Sequence, residues 1–163
     1  MLSPGSHLSE ESAYRPNVNT TGKRVSYTME STLDSVNRAE ELANKVAGES
    51  GFDEDERHRI ALAVREATVN AVYHGNHYDP KKKITVGFES SGVGLTVTIR
   101  DQGTGMVPEE LPDPLAPENL LRGSGRGIFL IRAFMDEVRF RTLDPGTEII
   151  LVKRRGSAEH KEA

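Results

Sequence analysis

Glu66 and Asn70 stand four residues apart in a run whose apolar positions recur at helical spacing, so both side chains leave neighbouring turns of one helix face. A carboxylate held there can orient or deprotonate a nucleophile. An amide oxygen is a neutral, hard ligand that suits Mg²⁺ when phosphates supply the charge. Two solvated polar residues would look the same. A second candidate, Asp101-Gln102-Gly103-Thr104-Gly105, directly follows an apolar stretch. Its carboxylate can accept from an exocyclic amine such as that of adenine, and Gly103 and Gly105 would let a planar base approach the backbone. A plain tight turn competes with that reading, because Asp and Gly favour turns anyway. The third candidate is Gly123-Ser124-Gly125-Arg126-Gly127, ahead of Ile128-Phe129-Leu130-Ile131. Small residues at a helix start leave backbone N–H groups free, and these with the helix dipole can receive an anion. No Gly-Lys-Ser/Thr follows, so this is not a Walker A loop, and it follows a long loop where a dinucleotide fingerprint would follow a strand.

These residues need elements to hold them. Alternation predicts a strand over 23–30, with Val25, Tyr27 and Met29 on one face. Ser31 or Thr32 can cap a helix over 33–47, with Leu33, Val36, Leu42 and Val46 inward and Gly48 and Gly51 ending it. A second helix is predicted over 53–73. Four acidic residues favour its N-terminal dipole, and Gly75 is its stop. Ile60, Val64, Ala67 and Ala71 form its main stripe, while Leu62, Val69 and Val72 lie elsewhere around the cylinder. A helix apolar on several sides is buried on several sides, which makes its polar Glu66 and Asn70 conspicuous. A hairpin over 83–89 and 95–100 turns through Ser90-Ser91-Gly92. A Gly/Pro-rich loop over 101–125, a helix over 126–135, and strands over 137–142 and 147–153 complete the pattern. This predicts an α+β fold. It would be a two-layer α/β sandwich whose mixed, mostly antiparallel sheet is covered on one face by about three helices. Residues 1–22 and 154–163 read as polar tails around one domain over 23–153.

The 163 residues include no cysteine, which removes disulfides, thiolate metal sites and cysteine nucleophiles together. A net charge of −4 argues against nucleic acid as the main partner. The densest basic run, Lys81–Lys83, reads as a turn at a strand start. No stretch approaches the roughly 20 apolar residues that span a bilayer, and no secretory signal opens the chain, so a cytoplasmic location is expected. His74, His77 and Asp79 lack an obvious fourth ligand and read as surface or cap residues.

The order of these segments carries more than any one of them. Arg65-Glu66-Ala67-Thr68-Val69-Asn70-Ala71 through His74-Gly75-Asn76, then Asp101 to Gly105, then Gly123 to Gly127, then Gly146-Thr147, resembles the GHKL (Bergerat-fold) ATPase superfamily of DNA gyrase, a heat-shock chaperone, sensor histidine kinases and MutL. Within it, the chain resembles the bacterial anti-sigma-factor serine/threonine kinases of partner-switching systems. Glu-Ala, Asn-Ala, His-Gly-Asn and Gly-Arg-Gly-Ile-Phe-Leu-Ile ending in Phe-Met-Asp-Glu-Val carry that likeness. The resemblance implies ATP and Mg²⁺ as cofactors. Asn70 would bind the metal, Asp101 the adenine amine with help from Thr147, and Gly103 and Gly105 would shape the base pocket. Gly123, Ser124, Gly125, Arg126 and Gly127 would meet the phosphates, residues 106–122 would form a lid, and Glu66 would activate a partner serine or water. The implied partners are an anti-anti-sigma (STAS-type) protein and a sigma factor, with homodimers common in the group. The alternatives are a non-catalytic ATP-dependent regulator and a histidine kinase fragment; for the latter, residues 1–22 are too short and polar to supply dimerisation helices. One departure stands out. Those kinases carry an Arg directly before the Ser-Gly of the second glycine segment, where this chain has Gly123, with Arg122 one residue earlier. Whether Arg126 substitutes stays open at this level.

Overall fold

The computed structural model describes residues 22–103 and 123–156, with backbone alone for 123–126. The elements run β1 (Lys23–Glu30), α1 (Leu33–Glu49), α2 (Glu54–Val69), a π-helical turn (Asn70–Gly75), β2 (Lys83–Ser90), β3 (Gly94–Arg100), α3 (Gly123–Phe134), β4 (Glu137–Thr142) and β5 (Thr147–Arg154). The five strands form one sheet in the order β1-β2-β3-β5-β4. All four pairings among the described residues are antiparallel, so the layered α+β arrangement carries no parallel pair there.

Strand alternation decides which face is covered. Ile84, Val86 and Phe88 of β2, Leu95, Val97 and Ile99 of β3, and Ile149 and Leu151 of β5 are buried against the helices. Val25, Tyr27 and Met29 of β1 and Val138 and Phe140 of β4 pack on the rim of that core. On the opposite face Glu148 lies between Arg100, 2.6 Å away, and Arg141, 2.9 Å away; the arginines are half exposed and cover the carboxylate.

The helix starts follow local chemistry. Thr32 Oγ1 accepts from Ser35 N at 3.2 Å and caps α1, while Ser31 instead donates to the Lys82 carbonyl. Asp53 Oδ1 accepts from Glu56 N at 2.8 Å at the head of α2, whose first turn is acidic. Ile60, Val64, Ala67 and Ala71 are all buried, as the stripe predicts.

Three expectations shift. Leu33, placed inward by periodicity, is 57% exposed, because it opens α1 before the helix has met the sheet. The helix expected to reach Tyr73 is α-helical only to Val69 and then widens into the π-turn. The third helix begins at Gly123, so the glycines lie inside its first turns, where a loop had been expected. Among the described residues no helix is long and apolar enough to cross a membrane.

Candidate functional site

The π-turn sits where α2 meets the ends of β3 and β5. A single added residue per turn re-aims the side chains that follow it, and such bulges recur at functional sites. Asn76 N donates to Ala71 O at 2.9 Å and closes the widened turn. The chain then passes through His77 and Tyr78, both in the left-handed region with φ of 54° and 58°. Two successive non-glycine residues there are uncommon and strained.

Asn76 fastens this turn to the sheet. It is 1% exposed, and its Nδ2 donates to Ser31 Oγ at 2.9 Å and to the Lys83 carbonyl at 3.0 Å. Its Oδ1 accepts from Gln102 N at 2.8 Å, and Gln102 in turn accepts from Lys83 N at 2.6 Å. The segment after β3 is thereby tied to the starts of β2 and α1.

Asp101 is the focus of that segment. Its Oδ1 accepts from Gly103 N at 2.9 Å and Thr147 N at 3.1 Å, which fixes the carboxylate plane. Burial pushes the Asp101 carboxyl above its ordinary value, against the pull of those two N–H groups and of Lys82. Three glycines make room for it. A side chain at Gly75 would overlap the Asp101 carboxylate, one at Gly103 would overlap the Gly75 carbonyl, and one at Gly146 would overlap the Asp101 carbonyl. Gly146 also has φ of 107°, which L side chains rarely adopt.

Beside Asp101 opens a small cavity. Ala67, Asn70 and Ala71 line it from the helix side, Ile99, Thr147 and Ile149 from the sheet, and Phe140 from β4. Its apolar walls around one buried carboxylate and one hydroxyl match the chemistry of a flat heterocycle bearing an exocyclic amine, but at about 30 Å³ the space must widen to admit one. Asn70 also faces Gly127, in the second turn of α3. Its Oδ1 is 3.9 Å, and Glu66 Oε1 3.0 Å, from the point a Cβ on Gly127 would occupy. Gly127 thus lets α3 close on Glu66, and the first turn of α3 leaves backbone N–H groups without intrahelical partners beside it.

The structure therefore brings Glu66, Asn70, Asp101, Gly103, Gly127 and Thr147 to one end of the fold. Gly123 and Gly125 lie in the first turn of α3; the side chains of Ser124 and Arg126, and Gly105 with the expected lid over 106–122, lie outside the described residues. Sequence reading gave no role to Phe140 or Asn76. Phe140 is hidden in an alternation that marks any core-facing strand residue. Asn76 was visible within the His-Gly-Asn segment, but only the fold shows what it bonds. Asp79 Oδ1 accepts from Lys81 N at 2.9 Å, which makes it a turn cap leading into β2.

Comparison with known proteins gives the family. The anti-sigma F factor of Anoxybacillus flavithermus is 36% identical over 104 residues, covering 61% of this chain and 70% of that protein. The serine-protein kinase RsbW of Oceanobacillus iheyensis is 32% identical over 100 residues, covering 58% of this chain and 63% of that protein. Among solved structures, the RsbU and RsbW domains of Rv1364c from Mycobacterium tuberculosis superpose with a TM-score of 0.60 at 20% identity, over 80% of this chain and 32% of that one, a likeness of fold. The family model of the histidine kinase-like ATPase domain matches residues 29–153, and the chain belongs to that family, together with the anti-sigma F factors.

Proposed function

We propose that this chain is an ATP-dependent serine/threonine protein kinase and anti-sigma factor. It would phosphorylate a small anti-anti-sigma protein of STAS type and hold a sigma factor when that protein is not engaged. The observation that carries the reading is the position of Asn70. One side chain borders both the Asp101 cavity and α3 at Gly127, in its second turn, so one bound molecule with a base at one end and phosphates toward the head of that helix would span the two.

In this reading Asp101 accepts from the adenine amine and Thr147 borders the base. The first turn of α3 receives the phosphates through backbone N–H groups. Asn70 Oδ1 would hold Mg²⁺, which when bound neutralises charge on the phosphate oxygens. Glu66 takes the proton of the partner serine as its oxygen forms a bond to the terminal phosphorus and the bond to ADP breaks. The closeness of Glu66 Oε1 to the glycine at the third position of the Gly-Arg-Gly run supports that role. The experiment is incubation with ATP, Mg²⁺ and the cognate anti-anti-sigma protein, read by intact mass. Wild type should add one phosphoryl group per partner, and Glu66→Gln should bind ATP but transfer at least about 100-fold more slowly. Equal transfer by Glu66→Gln removes the assigned base.

Gly123 favours a second reading, in which ATP governs partner binding without transfer. A terminal phosphate without a neighbouring guanidinium loses much of the stabilisation that transfer needs. ATP-dependent capture of a sigma factor, with no mass added to any partner, would select this reading over the first.

A further inference from the structure

Away from the cavity, the fold buries a second set of charges. Lys153 of β5 is 1% exposed. Its Nζ donates to the Phe134 carbonyl at 3.2 Å and lies 3.5 Å from Glu56 Oε1 and 3.9 Å from Asp136 Oδ1. Glu56, 6% exposed, comes from the first turn of α2. Asp136 follows α3, and its Oδ2 accepts from Arg154 N at 2.7 Å while its own N donates to the Val152 carbonyl at 2.8 Å.

A lysine loses its hydration when buried, and pairing seldom makes the result more stable than a well-packed apolar group of the same volume. Stability alone is therefore a poor account of Lys153. Its contacts are directional. Phe134 is the last residue of α3, and its carbonyl is one that the helix leaves without a partner. The ammonium joins that carbonyl to α2 at one side and to β5 at the other. The apolar side chains Ile128 and Ile131 of α3, with Met135 just beyond it, hold the helix on the core, and the Lys153 contact adds a directional polar fix at its C-terminal end. A 12-residue helix is a rod roughly 18 Å long, so a shift at its C-terminal end reappears at its N-terminal end. In the second turn of the helix, at Gly127, the clearance to Glu66 Oε1 is only 3.0 Å measured from a Cβ position.

We propose that Lys153, clamped between Glu56 and Asp136, is a positioning residue that sets the axial position of α3 and so the register of Gly127 and the turn before it against Glu66 and Asn70. The consequence for ligand binding rests on the nucleotide reading above; the anchoring itself does not.

The test uses the full chain with Lys153→Met/Glu56→Gln, which removes the ammonium and its nearest carboxylate together, and Lys153→Arg as the charge-retaining variant. Hydrogen exchange of residues 128–134 is followed by mass spectrometry, and affinities for ATP and adenosine are measured by calorimetry. In the double variant, α3 amides should exchange at least tenfold faster while α2 and β3 keep their protection. ATP affinity should fall about tenfold with adenosine affinity unchanged, and Lys153→Arg should keep α3 exchange and ATP affinity close to wild type. Unchanged α3 exchange overturns the proposal. So does faster exchange with an unchanged ATP-to-adenosine ratio in a wild type that binds both. A wild type that binds neither ligand, with α3 exchange accelerated in the variant, upholds the anchor and overturns the nucleotide reading.

Discussion

Replacing Asp101 by Asn keeps the shape of the side chain and changes what it offers. In the wild type Oδ1 accepts from Gly103 N and Thr147 N, and an Asn oxygen can keep both bonds. The other position becomes an amide N–H₂, which would face the exocyclic amine of adenine donor to donor. A hydrogen bond to a charged group contributes about 1.5–3 kcal/mol, and a buried donor left without an acceptor costs about 1–3 kcal/mol. Even at the low end these sum to roughly 2.5 kcal/mol, or on the order of 100-fold in Kd for ADP by titration calorimetry. The empty protein should behave differently. Burial raises the Asp101 pKa, so between the unfolded value near 3.9 and the raised folded value the native state binds the extra proton. Stability contributed by the protonated form is therefore present below that window and lost as pH rises through it, and at neutral pH the ionised carboxylate stands at a cost. Asp101→Asn removes this titration, so its Tm without nucleotide at pH 7 should equal or exceed that of wild type. Adenine nucleotide affinity within threefold of wild type would refute the assignment of Asp101. A clear loss of stability in the empty variant would refute the account of its burial.

Two further outcomes follow from the same neighbourhood. Asn76→Ala leaves the Gln102 N–H and the Lys83 carbonyl without their side-chain partner, which should cost about 2–4 kcal/mol in urea unfolding and weaken adenosine binding by loosening the Asp101 segment; a loss under about 0.5 kcal/mol, the range of an ordinary surface change, would contradict the network. His74 has a lowered pKa, from burial first and the charge of His77 second. The unfolded chain thus takes up a proton that the folded one resists, so stability should decline as pH falls below about 6.5, and His74→Gln should flatten that slope in urea midpoints read across the range.

Much of the scaffold was legible because local signals and the final fold agree. Alternation in Ile84, Val86 and Phe88 and in Leu95, Val97 and Ile99 marks strands with one covered face, and Thr32 and Asp53 mark helix starts that the structure uses. Positions at element ends were less legible. Leu33 satisfies the helical period but stands before the helix reaches the sheet, and the glycines from 123 onward look like loop by propensity while the fold makes them helix. The site divides in the same way. Glu66, Asn70 and Asp101 announce themselves as polar residues in apolar surroundings. Phe140 and Lys153 do not, because one looks like any strand residue and the other like the polar last residue of a strand, and only long-range pairing of β4 and β5 gives them their neighbours.

The order β1-β2-β3-β5-β4 bears on how the molecule comes into being during translation. β4 is made before β5 but touches the sheet only through it, and Thr147 and Lys153 both ride on β5. A nascent chain that has emerged only as far as residue 146 therefore has an Asp101 without its Thr147 donor, an α3 without its rear anchor, and a β4 with no strand beside it. Contacts between distant parts of a chain form late and slowly. The ligand cavity and the seat of α3 would then arise in one closing event, when β5 slots between two strands already synthesised, so a ribosome-bound fragment could display the helical pair α1–α2 long before it could hold a ligand.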